Sequence, residues 1–143
     1  MTLSMGDLEA LRRIGVAYAN DFLHGRNLSD GYKLLAVFLY GGAAKYHFGL
    51  KPSFGDFDIN VIFLMTRKDN RRRHVSTQAR PKDLPLYKGK IVQVTRNVYA
   101  GKELDGEKAL RELANLKRSR RWQTIRDTPL ILLYPEIREI RLQ

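Results

Sequence analysis

Two mostly apolar runs constrain the fold of this chain more than any other feature of its sequence. They extend from Leu34 to Tyr40 and from Ile59 to Met65. Short apolar runs that are bounded by glycine and other turn-forming residues are typical of buried β-strands. Each run is far shorter than the roughly 20 residues that a helix needs to span a bilayer. We therefore expect a sheet with a buried centre and no association with a membrane.

The composition fits one compact domain formed by residues 1–143. Hydrophobic residues make up 43% of the chain and charged residues 29%, which differs from the core-poor composition of disordered proteins. The chain contains no cysteine, so disulfides and zinc–thiolate sites are excluded. Its N-terminus lacks the pattern of a secretory signal, and a cytoplasmic location is expected.

The order of periodic segments predicts an α+β fold. Ser4 and Asp7 are spaced as a helix-capping pair, and apolar residues then recur at helical spacing up to about Gly25. The later predicted elements are strands at 33–40, 56–64, 90–99 and 130–134, a short helix at 43–48 and a helix at 106–126. This order favours an α/β sandwich in which helices flank a mixed β-sheet. The mostly polar residues 66–90 lack such periodicity, and we interpret them as a basic loop or insertion.

The positive charge of the chain is concentrated in its second half. Residues 1–70 contain 8 basic and 7 acidic side chains, whereas residues 71–143 contain 18 and 8. A clustered basic surface gains free energy when it displaces counterions from phosphates, which makes RNA or DNA the expected partner. A well-solvated surface without a partner is the alternative. The candidate phosphate contacts are Arg71, Arg72, Arg73, Lys117, Arg118, Arg120 and Arg121.

A glycine pair directly follows the first apolar run and an acidic pair directly precedes the second, so the two pairs can form one site. Gly41 and Gly42 lie between the first predicted strand and the short helix, where bare backbone N–H groups can approach a phosphate. Asp56 and Asp58 lie two residues apart in the second strand, so their carboxylates share one face. Carboxylate oxygens are the ligands that Mg²⁺ prefers. The sequence thus predicts a site that holds phosphate and metal together.

This arrangement resembles the nucleotidyltransferase superfamily that includes DNA polymerase β, whose pattern is a glycine pair, a short helix and Asp-x-Asp on the next strand. The long separation of the two pairs is most similar to the nucleotidyltransferase toxins of abortive-infection systems. The resemblance covers about residues 8–100. It implies a nucleotidyltransferase-like fold, with Gly41 and Gly42 at the nucleotide phosphates and Asp56 and Asp58 as catalytic Mg²⁺ ligands. It also implies transfer of a nucleotidyl group from a nucleoside triphosphate to an acceptor hydroxyl, with pyrophosphate leaving.

Three side chains near the glycine pair are secondary candidates. Lys45 and Lys51 flank the predicted phosphate site and have the charge needed to neutralise a triphosphate, although ordinary surface lysines look the same in a sequence. His47 lies in the short helix, and we expect it to serve packing or a surface hydrogen bond rather than catalysis.

The chain departs from the family pattern on the strand at 90–99. The family has a third carboxylate there, whereas the matching face of this chain offers Gln93, Thr95 and Asn97. The loop acids Asp83, Glu103 and Asp105 are the alternative sources of that charge.

Three functions from different classes follow from these features. The first is an enzyme that transfers a nucleotidyl group, with Mg²⁺ bound, to RNA or to a protein side chain. The second is a catalytically inactive protein of the same fold that binds nucleic acid through its basic half, and the missing acid favours it. The third is a toxin–antitoxin component whose basic surface binds an acidic protein.

Overall fold

The secondary structure follows the predicted order in the parts of the chain that the computed structural model describes, which are residues 2–25, 31–65, 74–78, 84–100 and 129–140. Two helices and seven strands lie in these ranges. In chain order they are α1 (Met5–Gly25), β1 (Tyr32–Tyr40), α2 (Gly41–His47), β2 (Phe57–Met65), β3 (His74–Gln78), β4 (Leu86–Tyr87), β5 (Lys90–Ala100), β6 (Leu130–Tyr134) and β7 (Arg138–Ile140). The predicted elements in these ranges are present with bounds within two residues. The helix predicted at 106–126 lies outside the described residues.

The strands form one mixed sheet, which confirms the predicted α+β class. The strand order is β3-β5-β2-β1-β6-β7, and β4 pairs with β5 beside this path. The two apolar runs, β1 and β2, are adjacent and antiparallel at the centre of the sheet. On either side of them, β5 runs parallel to β2 and β6 runs antiparallel to β1.

Helix α1 covers one face of this sheet. Its start is fixed by the predicted capping pair, because Asp7 N–H donates to Ser4 Oγ at 3.0 Å and Ser4 N–H donates to Asp7 Oδ2 at 3.1 Å. The helix approaches the sheet closely at Gly15, where a Cβ atom would lie only 2.6 Å from Val37 Cγ1. Neither helix in the described ranges has the length and apolar character needed to cross a bilayer.

Both faces of the central strands are buried. The face that packs against α1, called the α1 face, is apolar and contributes to the main core. The other face, called the opposite face, also includes two fully buried polar residues, Asn60 and Thr95. This face opens toward solvent at one end, where Asp58 and Gln93 are half-buried. The interior of the sheet therefore leads, on its opposite face, to a partly open polar edge.

The prediction of a loop at 66–90 is wrong for the residues that the structure describes, because they contain strands β3 and β4. Strand β4 is joined to β5 by a two-residue hairpin turn at Lys88 and Gly89, which have φ angles of 49° and 76°. Residues 66–73 and 79–83 lie outside the described residues.

A hydrogen bond and an ion pair connect this hairpin to the start of α1. Tyr87 Oη donates to Asp7 Oδ1 at 2.7 Å, and Lys88 Nζ lies 2.7 Å from the same oxygen. The hydrogen bonds from Lys88 and Tyr87 hold the pKa of the Asp7 carboxyl well below its usual range. One carboxylate thus caps the helix and anchors the edge of the sheet.

Candidate functional site

The Gly41–Gly42 turn, which was predicted to lie between β1 and the short helix, forms the first two residues of α2 and lies against Asp58. Tyr40, the last residue of β1, is the register partner of Asp58 in β2. The next residue, Gly41, has a φ angle of 69°, and a Cβ atom there would lie 2.6 Å from Asp58 Oδ2. The backbone conformation therefore favours glycine at position 41. A side chain there would force the Asp58 carboxylate to shift. Gly41 and Asp58, which are well separated along the chain, therefore lie close together. Their roles at a phosphate and a metal ion stay predictions.

Gly42 is different, because its immediate surroundings leave room for a side chain. A Cβ atom at this position would meet Phe54 Cβ at 3.5 Å, which is an ordinary contact distance, and its φ angle is not positive. Packing among the described residues therefore does not require glycine at position 42. A need for bare backbone next to a ligand is a physical reason for glycine at such a place.

Asp56 lies just before strand β2 rather than inside it. Strand β2 begins at Phe57, one residue later than predicted, and Asp56 is a half-buried residue of the preceding bend. The prediction that its carboxylate lies within metal-bridging reach of Asp58 stays a prediction.

Strand β5 brings neutral side chains to the acidic site. Its parallel register pairs Gln93 with Asp58 and Thr95 with Asn60. Thr95 Oγ1 also forms a buried hydrogen bond of 3.2 Å with Tyr40 Oη, so that the polar groups of β1 and β5 meet across β2. In the described part of the chain, no three His, Cys, Asp or Glu residues lie close enough together to hold a metal ion. The alternative acids Asp83, Glu103 and Asp105 lie outside that part.

An exposed apolar pair borders the open end of the opposite face. Leu86 and Ile91 are register partners in the β4–β5 hairpin and are 67% and 39% exposed. Ile91 shares a face with Gln93 because the two residues are two positions apart in one strand. Sequence reasoning missed this pair, although the alternation of Ile91 with the buried Val92 was the signal that places it there.

The two candidate lysines lie after the glycine turn at different depths. Lys45 is a half-buried residue of α2, whereas Lys51 is exposed in the turn that follows this helix. Lys51 lines a shallow groove of about 320 Å³ formed by residues 49–52. Their roles at a triphosphate stay predictions.

His47 has the packing role that its position predicted. Its Nδ1 accepts a hydrogen bond of 3.2 Å from Leu3 N–H, and its Nε2 lies 3.4 Å from Glu139 Oε1. Because Nδ1 accepts, the neutral ring carries its proton on Nε2 and donates it to Glu139. The side chain therefore ties α2 to the N-terminal residues and to β7.

The predicted nucleic-acid contacts all lie outside the described residues. They are Arg71, Arg72, Arg73, Lys117, Arg118, Arg120 and Arg121. Their convergence on one surface stays a prediction.

Comparison with family models, with curated proteins and with solved structures finds no match to this chain.

Proposed function

We propose that the chain binds a magnesium-bound nucleoside triphosphate at the Gly41–Gly42 turn and transfers its nucleotidyl group to RNA or to a protein acceptor. The close approach of Gly41 to the Asp58 carboxylate is the observation that carries this proposal. It brings a carboxylate oxygen, a ligand type that Mg²⁺ prefers, next to a turn whose second glycine is not needed for packing. The proposed phosphate site and the proposed cation site are therefore neighbours.

The donor set at this turn fits Mg²⁺. The ion is usually held in proteins by one or two carboxylates together with substrate phosphates and water, and it does not need a cage of three protein acids. Asp58, with Asp56 just before the same strand, would hold it. When bound, the ion neutralises the charge of the phosphates and orients them.

Each of the other groups has a defined task toward the nucleotide. Bare backbone at Gly42 lets a phosphate oxygen approach the first N–H groups after β1. Lys45 and Lys51 supply positive charge to the outer phosphates. The exposed pair Leu86 and Ile91 offers an apolar wall beside the polar groups, as is usual in ligand sites.

The proposed reaction is a substitution at the α-phosphorus. An acceptor hydroxyl oxygen forms the new P–O bond, and the bond from the α-phosphorus to the bridging oxygen breaks. That electron pair leaves with pyrophosphate, and the hydroxyl proton passes to solvent. The contribution of the chain is to position and neutralise the phosphates.

Binding of the nucleotide without transfer is the second candidate, because neutral residues occupy the matching face of β5. Gln93 lies in register with Asp58, and neither its amide nor the Thr95 hydroxyl accepts a proton from an attacking hydroxyl at neutral pH. In this case the protein holds nucleic acid through its basic second half.

Three glycine substitutions test the phosphate site. Gly42→Ala should keep the fold and weaken binding of Mg²⁺–ATP or Mg²⁺–GTP roughly 10- to 100-fold, the effect of losing one charge-assisted hydrogen bond. Gly41→Ala should abolish binding because its methyl group displaces the Asp58 carboxylate. Gly49→Ala is the matched control, since Gly49 has a φ angle of 75° but no atom near its would-be Cβ. Isothermal titration calorimetry measures all three affinities.

A transfer assay then separates the two candidates. Wild-type protein is incubated with RNA or protein acceptors, Mg²⁺ or Mn²⁺ and a triphosphate labelled in its α-phosphate. Transfer that is lost in Asp58→Asn supports the enzyme, because removal of a metal ligand raises the barrier far more than it disturbs a half-buried side chain. Nucleotide binding without transfer supports the second candidate. If Gly41→Ala binds as well as Gly49→Ala does, both candidates are wrong.

A further inference from the structure

A second candidate site lies on the other side of the sheet, where α1 runs beside the end of β6. It is an open groove of about 310 Å³ lined by Arg12, Arg13, Val16, Ala17, Asn20 and Tyr134. All but the last of these residues lie on one side of α1. Tyr134 is the last residue of β6, and its ring closes the groove at the sheet. The groove lies on the α1 face, whereas the Asp58 site lies on the opposite face.

The groove is basic and has an aromatic wall. The Arg12 guanidinium lies 5.8 Å from the centre of the Tyr134 ring, at which distance cation and ring attract each other. Arg13 is exposed on the neighbouring position of the helix. Among the described residues, no acidic side chain lines the groove and neither arginine forms an ion pair. Within that part of the chain, the groove therefore has an excess of positive charge.

These groups match the parts of a nucleotide. A guanidinium donates two parallel hydrogen bonds to phosphate oxygens, which suits Arg13 at the open rim. A planar base stacks on tyrosine rings and on arginine planes, which suits the Arg12–Tyr134 pair. The Asn20 amide offers both donors and an acceptor for a base edge. The volume is at the lower end of the range of about 300 to 1,000 Å³ for ligand sites.

We propose that this groove binds one nucleotide unit, with the phosphate at Arg13 and the base against Tyr134. The unit is either a free nucleoside monophosphate or one residue of a single-stranded nucleic acid. The net charge of +11 favours such an anionic ligand over a cationic one. An acidic peptide would form ion pairs with the two arginines but would not stack on the Tyr134 ring.

Fluorescence anisotropy with labelled single-stranded RNA and DNA oligonucleotides tests this site. Arg13→Gln should weaken binding and reduce the magnitude of the log–log salt slope by about 1, because one phosphate contact is lost. Tyr134→Leu should weaken binding roughly 5- to 150-fold without changing that slope, because only stacking is lost. The matched control is Lys33→Gln, which removes one exposed positive charge on β1 outside the groove.

Competition with nucleoside monophosphates distinguishes the two sources of the nucleotide. Displacement of the oligonucleotide by a monophosphate supports a free nucleotide as the ligand. If no monophosphate displaces it, while Arg13→Gln and Tyr134→Leu still weaken oligonucleotide binding, the ligand is a single-stranded nucleic acid. The proposal is overturned if Arg13→Gln and Tyr134→Leu behave like Lys33→Gln, or if a polyglutamate peptide binds as tightly as the oligonucleotide.

Discussion

We expect the replacement of Asp7 with alanine to destabilise the protein. Among the acidic residues in the described part of the chain, Asp7 should be the one whose loss costs most. The side chain of Asp7 is only 14% exposed. It accepts hydrogen bonds from Ser4 N–H and from Tyr87 Oη, and it pairs with Lys88. Its loss therefore frees the start of α1 and the β4–β5 hairpin at the same time.

The expected cost follows from these contacts. A hydrogen bond to a charged group contributes about 1.5–3 kcal/mol, and a capping contact contributes about 0.5–1 kcal/mol. Lys88 adds little because its side chain is 65% exposed and water screens the pair. We expect Asp7→Ala to lower the free energy of unfolding by about 2–4 kcal/mol at pH 7.

The cost should also depend on pH. The pKa of Asp7 is lowered on folding, first by Lys88 and then by Tyr87. Its contribution is therefore fully present above the unfolded pKa of about 3.9 and decreases as the pH falls below that value toward the folded pKa. Between pH 5 and pH 3 the difference between wild type and Asp7→Ala should shrink by roughly 1 kcal/mol.

Urea unfolding followed by circular dichroism at pH 7, 5 and 3 measures this effect. The matched control is Asp21→Ala, which removes an exposed acid from the same helix and should change stability at pH 7 by less than about 0.5 kcal/mol. Tyr87→Phe, alone and combined with Asp7→Ala, isolates the Tyr87 hydrogen bond. The reasoning is refuted if Asp7→Ala costs no more than the control, or if its cost is the same at pH 5 and pH 3.

Two further substitutions test the packing that positions the site, and chemical unfolding measures both. Gly15→Ala should destabilise by about 0.5–2 kcal/mol, because overpacking against Val37 exceeds the gain in helix propensity, whereas Gly6→Ala in the same helix should be neutral or stabilising. Equal effects of the two would contradict the close contact. Tyr40→Phe should cost about 0.5–1.5 kcal/mol by removing the hydrogen bond between Tyr40 Oη and the Thr95 hydroxyl. In the double variant Tyr40→Phe/Thr95→Val, the loss of stability should be smaller than the sum of the losses in the two single variants. If the two losses simply add, the result argues against the hydrogen bond.

The central elements of the fold were predictable because they have strong periodic patterns. The strands β1, β2, β5 and β6 each present apolar residues to a core, and α1 has both a capping pair and an apolar stripe. The missed strands lie at the edges of the sheet. Strand β7 has one apolar residue, Ile140, and β4 has only two residues. An edge strand buries little of its surface, so it leaves little hydrophobic pattern in the sequence.

The candidate site was predictable only in part. Alternation along β2 and β5 correctly placed Gln93 on the face of Asp58, because side-chain direction in a strand has a period of two. The contact of Gly41 with that carboxylate depends on the register between β1 and β2, which a single sequence does not contain. The same holds for the Arg12–Tyr134 pair, because these residues belong to elements that are distant in the chain.

The position of β6 beside β1 has a consequence for synthesis on the ribosome. β1 is complete at Tyr40, but its second neighbour begins only at Leu130, 90 residues later. At the usual elongation rates this interval lasts roughly 5 to 20 s. During that time one edge of a central strand has no partner, and an unpaired apolar edge recruits other chains. A nascent or prematurely terminated chain therefore exposes the centre of its sheet rather than the periphery.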